Sequence, residues 1–140
     1  MVQTIADIMT SDNLATVERN DSAAEAARRM AAADAGDVLV LDNGKLSGIL
    51  TDRDIAIRLV ARDMSPATPV SEIVSDAGIV TVTPQTPLDQ AIELIRTRSV
   101  RRLPVVERGR AVGVVSLGDL AMERDPRSAL ADISAAPGNG

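Results

Sequence analysis

The chain has no cysteine, no histidine and no phenylalanine, tyrosine or tryptophan. Each absence excludes a chemistry. Without Cys or His there is no thiolate nucleophile, no imidazole base and no zinc site of the usual ligand sets. Without an aromatic ring there is no stacking platform for a nucleobase, which would have to lie between aliphatic side chains and backbone. No run approaches the roughly 20 apolar residues of a membrane span. The N-terminus has neither the basic start nor the apolar stretch of a signal peptide. The expectation is a cytoplasmic protein that uses no membrane. Positive charge is also scarce, with 15 Lys and Arg against 20 Asp and Glu and a net charge of −5. That argues against general nucleic-acid binding, which needs a basic footprint.

What is present is the balance of a globular protein, with 45% hydrophobic and 25% charged residues, and an internal duplication. Gly48-Ile49-Leu50-Thr51-Asp52-Arg53-Asp54-Ile55-Ala56 returns 65 residues later as Gly113-Val114-Val115-Ser116-Leu117-Gly118-Asp119-Leu120-Ala121. The same offset holds without a gap back to Ile5 and Val70. Nine pairs are identical, those of Ile8, Thr16, Val17, Ala26, Val40, Gly44, Gly48, Asp54 and Ala56 with their partners. The apolar positions stay in phase throughout.

Each half reads as a helical turn, a strand, a helix, two strands and a helix. The turns are Ile5–Met9 and Val70–Val74, and the first strands are Ala15–Val17 and Val80–Val82. Asp21 or Ser22 caps a helix whose inner face is Ala23, Ala26, Ala27 and Met30. In the second half Thr86 caps, Pro87 takes the first helical position, and Leu88, Ala91, Ile92 and Ile95 face inward. Strands Val38–Leu41 with Leu46–Leu50, and Leu103–Val106 with Ala111–Val115, flank turns at Asn43-Gly44 and Arg108-Gly109. A last helix starts at Asp52 or Leu117. The borders are residues 1–61, a Pro-containing linker 62–69, 70–124, and a tail 125–140 with a short helix over 127–134 and a disordered end. One such half leaves apolar sheet surface uncovered. The expected architecture is therefore α+β, with two repeats packed sheet to sheet about a pseudo-twofold axis.

The tandem Gly-aliphatic-aliphatic-Thr/Ser-x-x-Asp motif, in this order of elements, resembles the CBS domain (cystathionine β-synthase type). Two in tandem form a CBS pair, or Bateman module, and the resemblance spans roughly residues 3–124. Thr51-Asp52-Arg53-Asp54-Ile55 is similar to stand-alone bacterial CBS-pair proteins, including those of the hypoxic-response type. The resemblance implies a module that binds adenosyl compounds (AMP, ADP, ATP, NAD or S-adenosylmethionine) in clefts between the repeats. Such a module is expected to require no cofactor and to have no catalysis of its own. It also implies that Asp54 and Asp119 accept ribose hydroxyls, while Thr51 and Ser116 reach ribose or phosphate. CBS pairs commonly form flat homodimers through helices, and Ile57, Leu59 and Leu120 are candidates for that contact. With no effector domain fused, a separate effector protein is expected.

The residue types suit those roles. A carboxylate can accept both donors of a ribose diol, and hydroxyls with backbone N–H groups at a helix start favour phosphate. Thr51 and Ser116 are equally good N-caps, and Asp54 and Asp119 suit a first turn, so capping alone would explain all four. Ile49 and Val114, near Thr16 and Thr81, could sandwich an adenine or simply be core.

Charge separates the halves. Arg96, Arg98, Arg101, Arg102, Arg108 and Arg110 are opposed only by Glu107, where the first half has Asp34, Asp37 and Asp42 against Lys45. Arg101-Arg102-Leu103-Pro104-Val105 resembles a family strand start, His-Arg-Leu-Pro-Val, with Arg101 in place of the His. Arg96 and Arg98 suit the solvated end of a helix. The Asp119, Ser116 and Arg102 site is expected to be the better one for a phosphorylated ligand. Two other readings stand beside this one. One is a structural interaction protein without a ligand. The other is an enzyme using Asp52 and Asp54 with Mg²⁺, disfavoured by Arg53 between them.

Overall fold

The computed structural model describes residues 4–12, 14–75 and 79–124. Most expected elements are present. The first repeat has β1 (Thr16–Glu18), α1 (Ala23–Ala33), β2 (Asp37–Asp42), β3 (Lys45–Thr51) and α2 (Asp52–Asp54), which runs on as a π-helical segment Ile55–Val60. The second has α3 (Leu88–Arg98), β4 (Arg102–Glu107), β5 (Arg110–Ser116) and α4 (Leu117–Arg124). The short helical turns are 3₁₀ turns, Ile5–Asp7 and Val70–Glu72. The helix and the disorder expected beyond residue 124 lie outside the described residues.

Ser22 caps α1, its hydroxyl accepting the Glu25 N–H at 3.1 Å. Both hairpins turn through two residues of positive φ, Asn43 with Gly44 and Arg108 with Gly109. That is the handedness a two-residue hairpin needs. Behind each turn the pairing slips by one residue, at Val40/Leu41 and Val105/Val106.

The two sheets differ by a strand. β1 runs parallel to β2, with Val17 opposite Val40. The expected strand Val80–Val82 is reduced to a bridge from Val82 to Val105. In the first repeat the Arg19 N–H extends the ladder to the Leu41 carbonyl at 2.9 Å. Its counterpart is Pro84, and the counterpart of Leu39, whose N–H bonds the Ala15 carbonyl at 2.9 Å, is Pro104; neither has an N–H to give.

Three side-chain expectations are corrected. Thr86 does not cap α3: its hydroxyl accepts the Thr83 N–H at 2.9 Å, and Pro87 occupies the N-cap position. Ala27 is exposed, because the sheet covers only the narrow stripe of Ala23, Ala26 and Met30. Leu59 and Leu120 are core residues rather than contact candidates, whereas Ile57, Val60 and Met122 are exposed.

The chain divides into two compact units whose borders are not those of the repeats. One holds Asn13–Ile79, the other the chain through Asp12 together with the chain from Val80. Each repeat thus gives its opening turn to the unit built on the other repeat. Val70 and Ser71 donate N–H groups to the Asp21 and Arg19 carbonyls, at 2.8 and 3.0 Å. Ile5 and Ala6 do the same to Thr86 and Pro84, at 3.0 and 2.8 Å. Val70 and Ile73 enter the core of Val17, Met30 and Leu50, while Ile5 enters that of Val82, Ile95 and Leu103.

Candidate functional site

Each repeat places a hydroxyl residue and an aspartate where its last strand becomes a helix. Thr51 has extended backbone (φ −108°, ψ 163°), and its Oγ1 accepts the Asp54 N–H at 3.1 Å. In return Asp54 Oδ2 accepts the Thr51 N–H at 2.9 Å. The second repeat repeats this box, with Asp119 N–H to Ser116 Oγ at 3.0 Å and Ser116 N–H to Asp119 Oδ2 at 2.9 Å. All four side chains are half-buried. Both boxes satisfy N–H groups that a helix start leaves open. They consume one carboxylate oxygen and an acceptor site of each hydroxyl. Oδ1 and the hydroxyl proton at each junction stay outside the box, so capping does not exhaust these groups.

The preceding strand borders the same junction. Asp37 lies opposite Thr51 and Arg102 opposite Ser116 in the ladders. The Asp52 N–H donates to the Gly36 carbonyl at 2.9 Å, and the Leu117 N–H to the Arg101 carbonyl at 2.7 Å. The structure therefore brings Arg102, half-buried, beside Ser116, and ties down the backbone of Arg101 while leaving its side chain exposed. The run of arginines does not form one patch. Arg96 and Arg98 lie in the last turn of α3, and Arg101 and Arg102 stand where β4 begins opposite Ser116, whereas Arg108 and Arg110 flank the hairpin turn at the far end of β4. Six residues of strand separate them, about 17–20 Å.

Thr16, Leu39 and Ile49 form one row across the first sheet. Ile49 shares a face of β3 with Thr51, since side chains alternate along a strand. Val114 and Ser116 are related in the same way on β5. Val114 exchanges both backbone groups with Thr10, which leaves its half-buried side chain for any contact. Thr81 is exposed beside the Val82 bridge. The Thr16 carbonyl accepts from Arg29 at 3.2 Å. Arg29, with Arg28, hydrogen-bonds Glu25 and holds its carboxyl below the usual range.

Two features were not read from the sequence. The first is Arg58, whose Nε stands 3.8 Å from Asp54 Oδ1; its i, i+4 spacing was a usable signal. The second is the role of the motif glycines. A Cβ on Gly113 would stand 2.8 Å from Met9 Sδ and 3.0 Å from the Thr10 carbonyl oxygen, and one on Gly48 3.1 Å from Val74 Cγ2. They make room for the opening turn received from the other repeat. Among the described residues no group of three acidic side chains is placed to hold a metal ion.

The CBS-domain family matches this chain twice, over residues 5–61 and 70–125. The CBS domain-containing protein YhcV of Bacillus subtilis is 39% identical over 137 residues, covering 95% of this chain and 96% of the relative. Hypoxic response protein 1 of Mycobacterium tuberculosis is 30% identical over 119 residues, covering 84% and 82%. Two solved neighbours carry ligands. CBSX2 in complex with AMP superposes with a TM-score of 0.74 at 25% identity, covering 88% of this chain and 96% of that one. The CBS domain pair of MJ0100, in complex with 5′-methylthioadenosine and S-adenosyl-L-methionine, gives a TM-score of 0.77 at 25% identity, covering 91% and 100%.

Proposed function

The chain belongs to the CBS-domain family, as two CBS domains in tandem, and on that footing we propose that it is a regulatory module for adenosyl compounds, without catalysis of its own. It binds a ligand of the AMP, ADP, ATP, NAD or S-adenosylmethionine class at its strand-to-helix junctions. It passes that state to a separate effector protein in the cytoplasm.

The observation that carries this reading is the pair of matching boxes. At Thr51 with Asp54, and at Ser116 with Asp119, one carboxylate oxygen and one hydroxyl proton remain outside the box. The carboxylate suits a ribose diol, and the hydroxyl and backbone at a helix start suit phosphate. The AMP and S-adenosylmethionine complexes of the two neighbours support the same ligand class. Arg102 beside Ser116, against Asp37 beside Thr51, favours the Asp119 junction for phosphorylated ligands. Ile49, Val114, Thr16 and Thr81 supply aliphatic and hydroxyl contacts to a base. A homodimer through exposed Ile57, Val60 and Met122 fits the apolar residues left on the last helices.

A second reading has one observation in its favour: all four polar side chains already act as caps, which a ligand-free interaction protein also needs. Thermal melting with AMP, ADP, ATP, NAD and S-adenosylmethionine separates the two. A ligand at 100 times its Kd stabilises by about 2.7 kcal/mol, several degrees in Tm. No shift with any of the five leaves the interaction protein.

A further inference from the structure

The two junctions carry opposite charges at two equivalent positions. Beside the hydroxyl residue stand Asp37 in the first repeat and Arg102 in the second. Four residues beyond the aspartate stand Arg58 in the first and Glu123 in the second. Arg58 Nε lies 3.8 Å from Asp54 Oδ1, with 15% of the Asp54 side chain exposed. That is the oxygen the Thr51 box leaves over, since Oδ2 already accepts the Thr51 N–H. Asp119 has no cation within ion-pair distance among the described residues, and a glutamate follows it one turn on.

From this difference we infer that Arg58 is a specificity-determining residue of the first repeat. It competes with ligand hydroxyls for the Asp54 carboxylate and makes the Asp54 junction the weaker of the two for a ribose. The inference rests on the proposed binding of adenosyl compounds. A carboxylate oxygen turned toward a guanidinium has lost part of its acceptor capacity, and a diol needs two acceptor sites together. The partner does not act as a phosphate clamp in this arrangement, because its charge is directed at Asp54. Half-exposed i, i+4 ion pairs are weak, so the competition is modest, about two- to five-fold in affinity.

The test uses adenosine, which has no phosphate, and AMP. Each is titrated into the full chain, with amide NMR shifts read separately around Thr51 and around Ser116. In R58Q the Thr51 set should tighten for adenosine by about two- to five-fold, with the Ser116 set unchanged. R58K should return it toward the original value. E123R, which installs the cation beside Asp119, should weaken the Ser116 set by a similar factor. An R58Q variant with unchanged adenosine affinity at Thr51 overturns the inference. So does one that loses AMP affinity there, since Arg58 would then be holding phosphate. If neither set shifts with either ligand in any variant, the binding reading itself falls and takes this inference with it.

Discussion

Thr10 and Val114 exchange two backbone hydrogen bonds, N–H to carbonyl in each direction, both of 2.9 Å. One residue belongs to the first sequence repeat and the other to the second. The pair marks where the opening turn of the first repeat is stitched to the last strand of the second. With Ile5 fully buried a few residues earlier, this segment is part of the second repeat's core.

The consequence is a cross-repeat effect. I5A should destabilise by about 2–5 kcal/mol, as deletion of a buried isoleucine to alanine usually does. Hydrogen exchange should show the loss in β4 and β5 more than in β2 and β3, although Ile5 precedes all four strands. I73A, at the equivalent of Ile8, should weaken β2 and β3 instead. Equal loss of protection in both sheets would contradict the exchange of opening turns.

The motif glycines should resist alanine for a reason of space. In G113A the new methyl meets the Met9 sulfur at 2.8 Å and the Thr10 carbonyl oxygen at 3.0 Å. The thioether can move but the backbone oxygen cannot do so without breaking the Thr10–Val114 pair. A loss of about 1–3 kcal/mol is expected, typical of overpacking. G48A meets only the Val74 methyl at 3.1 Å. It should lose less, as measured by urea denaturation at constant m.

Capping and binding separate at Asp119. S116A removes the acceptor for the Asp119 N–H and should lose about 1 kcal/mol of stability, as a missing N-cap does. D119N retains a side-chain carbonyl that can accept the Ser116 N–H, so its stability should fall by no more than a few tenths of a kcal/mol from the lost helix-end charge. Its adenosine affinity should nonetheless drop at least ten-fold, since one carboxylate oxygen becomes a donor amide. Calorimetric titration beside thermal melting would detect the split. Unchanged affinity in D119N would leave Asp119 as a cap alone.

The exposed side chains of the last helices provide the test of self-association. Ile57 and Met122 occupy equivalent positions and are 43% and 41% exposed, and Val60 is 65% exposed. If these residues form the proposed contact, the unchanged chain should sediment as a dimer and the I57E, M122E double variant as a monomer. Its melting temperature at low concentration should change little, because neither residue belongs to a core cluster.

Most of the local structure was legible because it rests on short-range rules. Ser22 three residues before Glu25, Thr51 three before Asp54, and Asn43 before Gly44 each specify a cap or turn from neighbours alone. Where the reading failed, the deciding partner came from elsewhere or from a detail of the backbone. Thr86 had the spacing of a cap, but its hydroxyl turned back to Thr83. Val80–Val82 has the pattern of a strand, but Pro104 and Pro84, standing where Leu39 and Arg19 give N–H groups to the ladder of the first repeat, withhold the bonds on either side of Val82. Leu59 and Leu120 looked like contact residues until the cores claimed them. Arg58 is legible as an i, i+4 partner of Asp54, whereas the arginines of the second repeat, one run in the sequence, are divided into two groups by the length of β4.

The sequence by itself determined the duplication, the order of elements in each repeat, and a hydroxyl and a carboxylate at each strand-to-helix junction. These follow from periodicity and from residues three or four apart, whose contacts the backbone geometry dictates. It did not determine which sheet receives which opening turn. Ile5 with Ile8, and Val70 with Ile73, present interchangeable apolar patterns, so nothing local distinguishes docking on one repeat from docking on the other. Only the tertiary structure chose, by the fit of Met9 against Gly113 and Val74 against Gly48. The same packing explains why the repeated motif begins with glycine.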